Sequence, residues 1–73
     1  PKEALNSAGT RVELEKAEGR ISRSIITPYP PGIPVICPGE AITADIVEYI
    51  LQVVKAGGNV CGLGDKLEID VVL

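Results

Sequence analysis

The clearest hydrophobic pattern in the chain is helical and falls near its C-terminal third. On a projection of 100° per residue, Ile46, Val47, Ile50, Leu51, Val53 and Val54 spread over one broad face, while Asp45, Glu48, Gln52 and Lys55 gather on the remaining arc. Thr43 has the hydroxyl an N-cap needs. Asp45 suits the positive end of the helix dipole and Lys55 the negative end. Gly57 and Gly58 then stop the helix through the left-handed conformation that glycine permits. The spacing predicts one main amphipathic helix over about residues 43–56.

Elsewhere the pattern is short and broken. Residues 1–6 can form a helical turn, with Pro1 tolerated where its missing N–H would be unpaired anyway. Val12 and Leu14 alternate with Arg11 and Glu13, which suggests an extended stretch over residues 10–14. Leu14, Ala17, Ile21 and Ile25 fall at helical spacing, but Gly19 interrupts them at a cost of about 1 kcal/mol relative to alanine. The expectation is a short helix over residues 14–22, with residues 25–27 extended. Pro28, Pro30, Pro31, Pro34 and Pro38 fix φ and remove backbone donors, which excludes a helix there. They also exclude any central strand, leaving only residues 33–37 open to an edge strand. A stiff, shaped loop is expected, because proline restricts the chain before folding as well as after it. Val60 and Cys61 can begin a strand, and residues 62–66 make a turn. Leu67, Ile69 and Val71 alternate with Glu68, Asp70 and Val72 as a final strand. The sum is an α+β fold: one small domain with a main amphipathic helix, short N-terminal helical turns, a proline-rich loop and a few short strands.

Composition bounds what such a domain can do. With 73 residues the core is thin, and domains of about this size often draw added stability from staples, metals or partners. The apolar supply is aliphatic, with Tyr29 and Tyr49 the only aromatic residues. A formal charge of −3 gives no basic footprint for a phosphate backbone, which argues against a nucleic-acid partner. No apolar run approaches the roughly 18 to 20 residues that span a bilayer, which argues against a membrane role. Cys37 and Cys61 could form at most one disulfide, and no secretory signal is evident. Both are expected to be reduced, buried thiols in a cytoplasmic protein, following the usual burial of free cysteine.

Residues suited to chemistry are scarce. The chain has no histidine, so a histidine-based triad is excluded. Two cysteines without histidine fall short of the four ligands of a structural zinc site. Gly62-Leu63-Gly64 lacks the third glycine of a nucleotide fingerprint and reads as a turn. Glu13, Glu15, Glu18, Glu40, Asp45 and Glu48 could supply a paired acid–base site, but nothing in their spacing fixes two together, and solvated faces explain most of them. Glu40 stands apart because it follows the rigid Pro38-Gly39 turn and precedes the helix cap. It is expected either to interact with the N-terminus of that helix or to serve a binding role.

One stretch is compositionally improbable. Gly19-Arg20-Ile21-Ser22, followed by Thr27-Pro28-Tyr29-Pro30-Pro31-Gly32-Ile33-Pro34 and then Pro38-Gly39-Glu40, resembles the signature of the C-terminal domain in the ornithine/lysine/arginine decarboxylase family. Pro1-Lys2-Glu3-Ala4 resembles the family's entry into this domain, Leu14-Glu15-Lys16-Ala17 fits before the Gly-Arg pair, and residues 46–51 match the helix after Pro-Gly-Glu. The likeness thins after Gly58. The segment Val12-Glu13-Leu14-Glu15-Lys16-Ala17-Glu18-Gly19-Arg20-Ile21 also resembles part of molybdopterin-transferring enzymes, but those do not continue into the Tyr-Pro-Pro-Gly-Ile-Pro loop.

The resemblance implies that residues 1–73 are a domain of a larger fold-type I enzyme. In such an enzyme, pyridoxal phosphate on a lysine of the large domain acts as electron sink while arginine, lysine or ornithine loses its carboxylate. The products would be polyamines or their precursors. In the family that lysine follows a histidine, and no such pair occurs here. Lys2, Lys16, Lys55 and Lys66 are therefore expected at the solvated surface, with no catalytic, cofactor or metal residue in this chain. The expected role is support: packing on the parent's large and small domains, homo-oligomerisation, and shaping of the entrance for a basic amino acid. The expected contact is the loop formed by Tyr29, Pro30, Pro31, Gly32, Ile33, Pro34, Pro38, Gly39 and Glu40, where prolines pre-order an aromatic ring with one polar tip. Tyr29 could equally cover the domain's own small core. A free-standing interaction module of the same fold is the alternative. A domain drawn from a larger enzyme should expose apolar surface where its partners sit.

Overall fold

The computed structural model describes residues 8–29 and 31–73. Five regular elements follow in chain order: strand β1 (Gly9–Glu13), strand β2 (Thr27–Tyr29), helix α1 (Ala44–Lys55), strand β3 (Asn59–Cys61) and strand β4 (Glu68–Val72). A single 3-10 turn, Leu14–Lys16, follows β1. The α+β class expected from the sequence is what the chain adopts. The helical turn expected over residues 1–6 lies outside the described residues.

Two antiparallel pairs organise the strands. β1 pairs with β4 from Gly9↔Val72 to Glu13↔Glu68, and β2 pairs with β3 from Thr27↔Cys61 to Tyr29↔Asn59. Isolated bridges widen both pairs. Ser22↔Val71 lies at the edge of β4 opposite β1, Ile21↔Ala41 continues outward from it, and Ile26↔Ile36 flanks β2 on the side away from β3. Residues 20–29 and 35–42 thus run beside each other from one sheet to the other, which brings the ends of the chain's middle third together.

Helix α1 ends as its sequence dictates at both termini. The Thr43 hydroxyl accepts a hydrogen bond from the Ile46 N–H at 3.3 Å. At the other end Gly57 has φ +88°, its N–H donates to Val54 O at 3.0 Å, and the Gly58 N–H donates to Val53 O at 2.9 Å. These two bonds are the double closure that a left-handed glycine makes possible. Val47 and Ile50 are buried, and Ile46 and Leu51 pack partly buried against the core. The core joins them to Leu14, Ala17, Ile26, Ile36, Ile42, Ile69 and Val71, with Val12 of β1 and Val60 of β3 packed partly buried against it.

Four expectations are corrected here. The helix expected over residues 14–22 is only the turn Leu14–Lys16: Gly19 turns left-handed at φ +83°, and Ile21 and Ser22 enter sheet bridges instead. The apolar spacing of Leu14 and Ala17 is real, since both are buried, but long-range pairing to Ile42 and Val71 outcompetes a helix that contains glycine. Pro28, expected in a loop, lies inside β2. Ile26 exchanges its backbone bonds with residues 35 and 36, so by strand alternation the nitrogen of Pro28 also faces away from β3, and its missing N–H costs the ladder nothing. Residues 33–37 form one bridge at Ile36 rather than an edge strand.

The fourth correction concerns the thiols. Cys37 and Cys61 are both exposed. Each neighbours an inward-facing aliphatic residue, Ile36 or Val60, and the period-two alternation of extended chain turns the cysteine outward.

Candidate functional site

The proline loop is a hairpin tip closed at two levels. Near its base Ile26 N–H donates to Ile36 O and Val35 N–H to Ile26 O, each at 2.9 Å. Nearer the tip Gly32 N–H donates to Pro28 O at 2.7 Å, which needs the positive φ of Gly32, +88°. The ring of Tyr29 lies against that glycine: a Cβ placed at Gly32 would sit 2.9 Å from Tyr29 Cε1. Prolines on either side and a glycine under the ring leave this tip little freedom to rearrange.

What the tip presents is apolar. Ile33 is 62% exposed and Tyr29 46%. Pro28, by contrast, is fully buried, so the tip is anchored by Pro28 and Ile26 and offers Tyr29 and Ile33 outward. Tyr29 is not among the side chains of the buried core. Gly58, at the end of α1, approaches the Tyr29 carbonyl so closely that a Cβ there would lie 3.0 Å from it, which ties the helix terminus to the base of the tip. Pro30 lies outside the described residues. Pro31 and Pro34 are exposed.

Glu40 acts on its own turn rather than on the helix. Its Oε1 accepts the Cys37 N–H at 2.6 Å, spanning Pro38 and Gly39, while its carbonyl accepts the Ser22 N–H at 2.9 Å. The expected interaction with the N-terminus of α1 is replaced because the Thr43 hydroxyl already occupies that place, and Glu40 is held instead by pairing to residue 22. Tip and turn lie on one returning segment, residues 28–40, fixed at both ends to the core by Ile26, Ile36 and Ile42.

The other carboxylates do not converge. Glu13, Glu15, Glu18, Asp45 and Glu48 are all exposed, as a solvated face requires. Glu13 and Glu15 line a cleft of about 220 Å³ with Leu14, Leu51, Lys66 and Leu67, but Glu13 is engaged by Lys16 at 3.6 Å on the open surface. Among the described residues no group of three or more His, Cys, Asp or Glu side chains is placed to hold a metal ion. No helix is long and apolar enough to cross a membrane, again among the described residues. Sequence reasoning missed a long-range ion pair. Arg23 and Asp70 meet at 3.2 Å, both only partly exposed, and no local spacing could have joined positions 47 residues apart.

An α+β domain with this hairpin has close counterparts among known proteins. The family model for the Orn/Lys/Arg decarboxylase C-terminal domain matches residues 2–68, and the chain belongs to that family. An arginine decarboxylase of Bacillus anthracis is 43% identical over 65 residues, covering 89% of this chain and 13% of that protein. The inducible lysine decarboxylase of Escherichia coli K12 is 34% identical over 61 residues, covering 80% of this chain and 8% of that protein. Among solved structures, the lysine decarboxylase of Francisella novicida superposes with a TM-score of 0.84 at 32% identity, covering 99% of this chain and 12% of that one. The chain thus spans only a small fraction of the length of each relative it matches.

Proposed function

We propose that this chain is the non-catalytic C-terminal domain of a longer pyridoxal-phosphate-dependent decarboxylase acting on a basic amino acid, arginine, lysine or ornithine, in the cytoplasm. Its task there is to pack against the rest of the enzyme, to support subunit association and to help shape the substrate entrance. The parent's products would feed polyamine synthesis. The relatives named as arginine and lysine decarboxylases support the substrate class. The small share of their length that this chain matches supports its being one domain of a larger protein.

The cofactor does not fit the residues described here. A Schiff-base lysine needs a sheltered site, whereas Lys16, Lys55 and Lys66 are exposed and Lys16 is paired with Glu13. Lys2 lies outside the described residues. Pyridoxal phosphate would accordingly be held by other parts of the longer enzyme.

The observation that carries the supporting role is the pre-ordered tip with Tyr29 and Ile33 turned outward from the core. A rigid aromatic and aliphatic pair loses little entropy on docking and desolvates well, which are the properties of an interface anchor. The test is Ile33→Asp in the longer enzyme. Because Ile33 is 62% exposed, this chain's own fold should be unaffected, while subunit association and decarboxylation should weaken together. An enzyme with unchanged assembly and turnover would remove the proline loop from the interface.

A further inference from the structure

We draw no further inference here: the strongest candidate, the groove at the C-terminal end of α1 lined by Val53, Ala56, Gly57 and Gly58 beside the Tyr29 backbone, is an unpartnered apolar face and nothing in the structure shows what covers it.

Discussion

The Tyr29 ring packs on Gly32, a residue held at φ +88° by the hydrogen bond from its own N–H to Pro28 O. The contact couples a backbone requirement to a side-chain position. Only a residue without a Cβ both adopts that φ easily and leaves room for the ring. The shape of the exposed tip therefore depends on Gly32 as much as on the prolines around it.

Gly32→Ala should consequently displace the Tyr29 ring and cost about 1–3 kcal/mol, the usual range for a side chain forced into a disfavoured backbone region. Urea unfolding reads the loss as a lower midpoint. An alanine variant as stable as the parent would mean that the tip relaxes freely and is not pre-ordered.

Glu40→Ala removes the acceptor for the Cys37 N–H and should lower stability by about 0.5–1.5 kcal/mol, with Glu40→Gln recovering part of the loss because an amide oxygen can still accept. The same unfolding measurement compares the two. Equal losses for alanine and glutamine would show that the carboxylate acts through its charge and not as an acceptor across the Pro38-Gly39 turn.

Neighbouring positions on α1 should differ sharply. Ile50 is fully buried, and Ile50→Ala should cost about 2–5 kcal/mol, enough to unfold much of a domain with so thin a core. Tyr49 is 40% exposed, and Tyr49→Ala should leave the midpoint within about 0.5 kcal/mol of the parent. Circular dichroism during denaturation distinguishes them. A similar response at both positions would contradict the burial described for this helix.

Both thiols should react with a thiol-specific chromogenic reagent under native conditions, since Cys37 and Cys61 face solvent. A chain of this sequence that releases its full chromophore only after denaturant is added would restore the burial expected from cysteine's usual habits.

These contrasts mark where sequence was informative. Helix α1 was legible because period, N-cap and glycine stop all agree over one contiguous stretch, and each element of that reading depends on residues at most four apart. β1 and β4 were legible from their alternation, though not their pairing, which joins positions 9–13 to 68–72. The failures are all non-local. Residues 14–22 carry helical spacing, but Gly19 turns left-handed and bonds to Ile42, Glu40 and Val72 draw residues 20–22 alongside other segments. Pro28 was misplaced because its tolerance depends on which edge of β2 its nitrogen faces, a fact fixed by residues 35 and 36.

The candidate site was legible in part for the same reason. Proline spacing marked a stiff loop, and Tyr29 stood out as one of two aromatic residues. What alternation could not tell was that Tyr29 faces outward over Gly32, or that Glu40 closes its own turn instead of the helix start. Both depend on the returning segment's attachment at Ile36 to Ile26 and at Ile42 to Gly19 and Arg20.

The most direct measurement is the intact mass of the native gene product, taken together with its absorbance in the pyridoxal Schiff-base band and its turnover of arginine, lysine and ornithine. A yellow protein several times longer than this chain that decarboxylates one of them is the predicted result. A colourless product of 73 residues would contradict the account and leave a free-standing interaction module in its place.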